Sequence, residues 1–303
     1  MKSPAGSNAL RQALEAGRFV VAPGCYDALS ARIAEQHGFA AVYMSGLGVT
    51  ASLLARPDLE LLGMAEMVRQ AGLIAAAVSI PVISDADTGY GGLASVYRTT
   101  LAFQQAGVAA IHLEDQASPK RCGQMSGVRL IDAEVMAAKL RVAVEARGDG
   151  DMLIIGRTDA FRVDGVDEAI RRANLYAETG VDLLFVDGVS KPEDFRRVRK
   201  GVQGRLVASI VEVNAPAQTR AEELEAIGYS LAIYALSGIL AAAGGLDRLM
   251  ADIKENGHTD RSFERMMPYG ALNDVLGIEC YHRMWDRFPI GLTDGQRRPE
   301  NAQ

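Results

Sequence analysis

Cysteine is scarce in this chain: three among 303 residues, at Cys25, Cys122 and Cys280. An odd, widely spaced set argues against a disulfide framework and for a reducing compartment. Positive charge is also short, with 32 Lys and Arg against 38 Asp and Glu and a net charge of −6. That balance gives no basic field to attract nucleic acid or an anionic membrane surface. No apolar run reaches transmembrane length. The opening stretch Met1-Lys2-Ser3-Pro4-Ala5-Gly6-Ser7 has no signal-peptide core. The expectation is a cytoplasmic protein whose partner is a small molecule rather than nucleic acid or membrane.

What is present is apolar sequence in short pieces. Hydrophobic residues make up 49% of the chain and its 31 glycines are spread along it, enough for a large core with many tight connections. The candidate strands are Phe19–Pro23, Ala41–Ser45, Val82–Asp85, Ala110–Leu113, Met152–Gly156, Leu183–Val186, Leu206–Ile210 and Ala232–Ala235. Their near-continuous hydrophobicity reads as parallel strands covered on both faces. Amphipathic stretches alternate with them, among them Leu93–Ala106, Asp132–Ala146, Val166–Thr179 and Ala221–Ile227. Eight such units predict an α/β fold, a (β/α)8 TIM-type barrel over residues 1–256, with residues 257–303 as a C-terminal helical arm. A Rossmann-like sheet is the competing arrangement, but no Gly-x-Gly-x-x-Gly opens the chain.

Ionisable and polar residues collect where these strands finish. Tyr43, Ser45 and Gly46 follow the second, Asp85 and Asp87 the third, His112, Glu114 and Asp115 the fourth. Arg157, Thr158 and Asp159 follow the fifth, Asp187 the sixth, Glu212 the seventh, and Tyr234 and Ser237 the eighth. In a barrel these ends share the face where active sites are built.

Two segments carry specific chemistry. Asp85-Ala86-Asp87-Thr88-Gly89-Tyr90-Gly91 places two carboxylates at i and i+2, on one side of a strand. Like charges so close call for a cation or a proton between them, so the segment reads either as a divalent-metal site or as a solvated acidic turn. The second segment runs from Glu114 through Lys120-Arg121-Cys122-Gly123-Gln124. The cations beside Cys122 are expected to favour its thiolate, making it a nucleophile or a proton donor.

Taken in order, Tyr43-Met44-Ser45-Gly46, Pro57-Asp58, Asp85–Gly91, Glu114-Asp115-Gln116, Lys120-Arg121-Cys122-Gly123 and Arg157-Thr158-Asp159-Ala160 resemble the isocitrate lyase / phosphoenolpyruvate mutase superfamily. The loop around Cys122 is most similar to the 2-methylisocitrate lyase and 2,3-dimethylmalate lyase branches. The resemblance implies a Mg²⁺-dependent enzyme, with Mn²⁺ as a possible substitute, that cleaves a carbon–carbon bond in a 2-hydroxy dicarboxylate to give a 2-oxo acid. It implies a homotetramer in which the C-terminal arm, with Met266, Met267, Tyr269, Leu272, Leu276, Trp285 and Phe288, crosses to a neighbouring subunit. The alternative is an arm that caps its own barrel.

The implied metal ligands are Asp87 foremost, with Asp85, Asp58 and Glu114. Cys122 becomes the acid that protonates the new carbanion, Tyr43 the base or proton relay, acidified by nearby cation charge, and Arg157 the stabiliser of developing negative charge. Substrate-binding positions are Ser45, Gly46, Gly123, Arg157, Asp187 and Ser209.

Departures from the family pattern bear on the substrate. Gln124 stands where these lyases carry His, and Asp187 stands for a Glu. Ser209-Ile210-Val211 replaces the Asn-x-Thr of tricarboxylate-cleaving relatives, and Leu240 replaces an Arg. Loss of these partners predicts a substrate with fewer carboxylates or with alkyl substitution. Competing functions are an oxaloacetate decarboxylase or hydrolase, phosphonopyruvate-type P–C chemistry, and a non-catalytic 2-oxo acid binding protein.

Overall fold

A computed structural model describes residues 5–213 and 219–288. Eight parallel strands close into a barrel in sequence order: β1 (Val20–Cys25), β2 (Val42–Met44), β3 (Val82–Asp85), β4 (Ala110–Glu114), β5 (Leu153–Thr158), β6 (Leu183–Val186), β7 (Leu206–Ile210) and β8 (Leu231–Tyr234). Helices α1 (Ala5–Glu15), α2 (Ala28–Gln36), α3 (Gly46–Leu54), α4 (Met64–Ala77), α5 (Leu93–Gln105), α6 (Ala133–Arg147), α7 (Ala160–Val163), α8 (Val166–Ala177), α9 (Pro192–Gly201) and α10 (Ala221–Ile227) fill the connections. The expected strands match in number and order: β3, β6 and β7 have the expected bounds, and the ends of the others shift by at most two residues. The (β/α)8 barrel therefore stands, and the open Rossmann-like alternative does not.

The alternation of each strand divides the core in two. Leu153, Ile155, Leu183, Phe185, Val207, Leu231 and Ile233 pack with one another inside the barrel. Their neighbours Ile154, Leu184, Val186, Leu206, Ala208 and Ala232 pack outward against Met136, Leu140, Tyr176, Phe195 and Leu224 of the helices. Burying each large side chain contributes about 1.5–3 kcal/mol, so the strand phase is held on both faces. The same phase decides which polar residues face inward at the C-terminal rim. Continued by twos, it selects Tyr43 and Ser45, Asp85, His112 and Glu114, Arg157, Phe185 and Asp187, and Ser209.

The chain divides into compact units at Ala243, one spanning Met1–Ala243 and the other Gly244–Gln303. The division falls inside α11 (Ser237–Asn256). The second unit continues through α12 (Asp260–Phe263), α13 (Tyr269–Leu276) and α14 (Ile278–Arg287). Ser262 Oγ donates to Asp252 Oδ2 at 3.0 Å within this unit. Its apolar side chains are largely exposed, including Tyr269 at 80%, Phe263 at 69% and Phe288 at 61%. The expected arm beyond residue 288 lies outside the described residues.

Candidate active site

Strand register brings the charged rim together. Asp85 pairs level with His112, and Glu114 with Arg157. Six carboxylates, Asp58, Asp85, Asp87, Glu114, Asp159 and Asp187, are buried here beside two buried cations, Lys120 and Arg157. Arg157 reaches Glu114 Oε2 at 3.0 Å, Asp159 Oδ1 at 2.8 Å and Asp187 Oδ2 at 3.1 Å. Its guanidinium also lies 5.2 Å from the centre of the Phe185 ring, in range for a cation–π contact.

The expected metal carboxylates fall into two sets. Lys120 Nζ sits 2.9 Å from Asp58 Oδ2 and 2.6 Å from Asp87 Oδ1. Asp85 and Glu114, with His112, instead offer ligand atoms within 4.8 Å of one another. Glu114 Oε1 is buried without a hydrogen-bond partner. Asp85 Oδ2 accepts from the Gly46 amide at 3.2 Å and Oδ1 from the Asp87 amide at 2.9 Å.

Burial alone would raise the Asp85 pKa, but His112, Lys120 and Arg157 carry it down to about 2. Burial does raise Asp87, to about 6, against the pull of Lys120. It also raises Glu114 well above the usual carboxylate range despite Arg157. This oxygen-rich cluster, with an unpartnered carboxylate atom and too few cations, suits a hard divalent ion.

Asp85 and Asp87 do converge, but not through strand alternation. The strand ends at Asp85, and Asp87 has φ 49° in the left-handed region. A turn, rather than the pleat, brings the pair together. Lys139 Nζ holds it by donating to the Thr88 carbonyl at 2.9 Å, and Thr99 Oγ1 donates to Gly89 O at 3.2 Å. Such strain persists where the surroundings over-determine it, commonly at functional sites.

Two expected electrostatic effects are overturned. Tyr43 is not acidified: burial, followed by the Asp85 charge, raises its phenol well above its usual pKa although Arg157 opposes this. Its hydroxyl lies 2.8 Å from His112 Nε2, and burial lowers His112 to about 4, so the imidazole is neutral near pH 7. Cys122 is not held as a thiolate either. Burial raises it to about 11, Lys120 is committed to Asp58 and Asp87, and Arg121 NH1 donates to Ser126 O at 3.3 Å. The sulfur near neutral pH is therefore a thiol, suited to giving up a proton rather than to attacking.

The loop carrying Cys122 lies down over the barrel mouth. Cys122 N donates to Asp58 O at 3.0 Å. A Cβ on Gly123 would approach Asp187 Oδ2 and stand 2.8 Å from both Arg157 NH2 and Asp159 Oδ1, so only glycine lets the loop come so close. Beneath it is a cavity of about 40 Å³, room for about three ordered waters. Tyr43, Ser45, Asp58, Asp85, Glu114, Cys122, Gly123, Arg157, Asp187 and Ser209 all line it. Gly46 does not, its amide being spent on Asp85, and Asp87 lies behind Lys120.

Ser45 caps α3, its Oγ accepting from Gly48 N at 3.3 Å. Leu240, expected at the substrate, is 46% exposed on α11 and absent from the wall, where Leu236 stands instead. Glu212 does not join the site carboxylates, since Ser237 Oγ donates to both its oxygens at 2.9 Å.

Asp115 faces the other way. Fully buried among the helices, it accepts from Thr158 Oγ1 at 2.7 Å, Asp159 N at 2.9 Å, Arg172 NH1 at 3.1 Å and Tyr176 OH at 2.8 Å. It is the anchor that fixes the Arg157–Asp159 turn. Its neighbour Glu114 takes the opposite strand phase and faces the chemistry. Strand phase marks His112 as a member of the site, whereas nothing local marks Lys120 as the partner of Asp58 and Asp87.

Residues 10–254 match the profile of the family described as phosphoenolpyruvate phosphomutase. The chain is 39% identical over 282 residues to 2,3-dimethylmalate lyase of Eubacterium barkeri, covering 93% of this chain and 98% of that one. A crystal structure of 2,3-dimethylmalate lyase superposes with a TM-score of 0.88 at 34% identity, over 97% of this chain and 99% of that one. Oxaloacetate acetylhydrolase bound to 3,3-difluorooxalacetate gives a TM-score of 0.88 at 30% identity, over 95% and 98%. With the motifs at the barrel rim, these likenesses show that the chain belongs to the phosphoenolpyruvate mutase/isocitrate lyase superfamily.

Proposed function

We propose that the chain is a Mg²⁺-dependent carbon–carbon lyase, able to use Mn²⁺, that cleaves an alkyl-substituted 2-hydroxy dicarboxylate of the malate type. The observation that carries this reading is the placement of Cys122 on a loop over a cavity that Asp58, Asp85, Glu114, Asp187 and Arg157 also line. Asp85 and Glu114 would hold the ion, with Asp87 and Asp58 beside them. Bound there, the ion would supply positive charge that favours negative charge on the oxygens of a 2-hydroxy acid.

The chain's own groups move the protons. Tyr43 Oη accepts the substrate hydroxyl proton while passing its own to His112 Nε2, so no free phenolate has to form. The C2–C3 bond breaks, C2 becomes the carbonyl of a 2-oxo acid, and the electron pair stays on C3. Cys122 Sγ–H protonates C3, and the thiolate and imidazolium later re-equilibrate with solvent. Arg157 holds a fixed positive field toward the developing charge.

The cavity wall speaks to the substrate. Val211, Ile233, Ala235 and Leu236 make it apolar on the β7–β8 side, with Ser209 as the polar group there. A third carboxylate placed against that wall would lack partners, at a cost of several kcal/mol. A dialkyl-substituted malate is expected to exceed methylisocitrate by at least about tenfold in kcat/KM, measured as 2-oxo acid release with Mg²⁺. Equal or better turnover of methylisocitrate would remove the apolar-wall argument. Oxaloacetate decarboxylation or hydrolysis is the second reading. A panel in which only oxaloacetate is consumed would establish it.

Removing divalent ions with EDTA is expected to silence turnover and lower Tm. Burial raises Asp87 to about 6 and Asp159 to about 7. The ion-free folded state therefore holds protons that the unfolded chain has already lost, and stability falls as pH rises from about 5 to 7. A cation beside Asp87 replaces its proton. Its stabilisation should grow from pH 6 to pH 8, reaching on the order of 5 °C at saturation. A Tm shift independent of pH would count against Asp87 as part of the cation site.

The second unit's exposed apolar side chains support an arm exchanged between subunits of a tetramer. The mass in solution before and after removal of residues 257–303 tests this, and an unchanged mass would dismiss it.

A further inference from the structure

The segment that follows Cys122 is fastened at a single outer point. The near margin of the loop is well tied: Ser118 Oγ and Lys120 N donate to Glu60 Oε2 at 2.7 and 2.9 Å. Gln116 pairs its side chain with the backbone of Arg121 at 2.9 and 3.0 Å. From Gly123 to Val128, among the described residues, the hydrogen bond to another part of the barrel is Arg162 NH2 to Gln124 Oε1, at 2.6 Å. Arg162 Nε also donates to Gly188 O at 3.4 Å. Its stem lies across Gly188, where a Cβ would stand 2.7 Å from Arg162 Cγ. One arginine on α7 thus spans the loop after β6 and the loop that carries Cys122. Between Gly123–Val128 and the rim at Asp159, Arg162, Asp187 and Gly188 is an open space of about 470 Å³, so little else packs against the segment there.

We propose that Arg162 is a positioning residue that latches the Cys122 loop shut through Gln124. This accounts for glutamine at that position by its neutral amide oxygen, which accepts from the guanidinium without titrating. The bond is exposed, so its worth is modest in isolation. It matters because it acts at the free margin of a loop whose closure sets the thiol over the cavity. The effect on turnover rests on the lyase reading; the latch itself is read from access to Cys122.

The test is alkylation of Cys122 by iodoacetamide in the full-length protein, followed by peptide mapping. Wild type is compared with Arg162→Met, Gln124→Met and the double variant. Cys25 is buried and Cys280 exposed, so the mapped peptides supply internal controls. Each single variant is expected to react about five- to tenfold faster at Cys122, with no further gain in the double. kcat/KM should fall by a similar factor at unchanged Tm. Wild-type alkylation rates in either single variant, or additive gains in the double, would overturn the latch. Absent turnover in wild type together with the expected alkylation pattern would instead sink the lyase reading and leave the latch standing. Normal turnover without the pattern would sink the latch alone.

Discussion

Cys122→Ser is expected to lower the rate of carbon–carbon cleavage by about 10²- to 10⁴-fold, the range for loss of a positioned general acid. Substrate and cation binding should stay near wild type. The substitution keeps the loop geometry, because the backbone amide of residue 122 still donates to Asp58 O at 3.0 Å. It leaves the carboxylates and Lys120 untouched. What it removes is an acid strong enough to protonate a carbanion, since a hydroxyl holds its proton far more tightly than a thiol.

The pH profile should bear the same signature. With burial raising the thiol to about 11, its acid form persists across neutral and mildly alkaline pH, and any loss due to its ionisation begins only near pH 10. Single-turnover rates with Mg²⁺ and a cation-induced Tm shift separate the two functions. Undiminished cleavage in the serine variant would remove Cys122 from the chemistry.

The barrel was legible because strand phase and strand order are local properties. Odd-numbered inward positions on β5, β6 and β8 follow directly from alternation, and so do Arg157, Asp187 and the apolar wall at Ile233. The same rule misled at Asp87, where it extended a strand that had already ended. Loop side chains escaped it entirely. Lys120 lies beside Cys122 in sequence, so it was expected to act on the thiol, yet its ammonium is drawn 62 residues back along the chain to Asp58 and to Asp87.

The Tyr43 and Cys122 pKa expectations failed for one reason. Sequence shows neighbouring charges but not desolvation, and in both groups burial is the largest influence. Leu240 does not reach the cavity. Its amide bonds to the Leu236 carbonyl at 3.0 Å, so the two stand a turn apart along the chain, and Leu236 is the one at the cavity wall.

Arg157→Met should be the most damaging change to the site, costing about 3–5 kcal/mol of stability along with turnover. Methionine can fill the space over Phe185, so the loss is mainly of charge. Arg157 is 7% exposed and is shared by Glu114, Asp159 and Asp187. Without it those three buried carboxylates face one another with Lys120 turned elsewhere. Burial already raises Asp159 to about 7 and Glu114 well above its usual range, even with the guanidinium opposing the shift. Removing that opposition pushes both further up. The folded variant therefore binds protons that the unfolded chain, with carboxylates titrating near 4, does not.

Its stability should rise as pH falls from 8 toward 5, more steeply than that of the wild type. Urea unfolding at several pH values, without divalent ions, measures the slope. Asp187→Asn added to Arg157→Met should recover part of the loss by removing one repelling charge, while Arg157→Lys should fall between the two because a single ammonium cannot serve three carboxylates at once. A pH-independent loss, or no recovery in the double variant, would show that Arg157 contributes through packing rather than as the counter-charge that lets this acidic mouth fold.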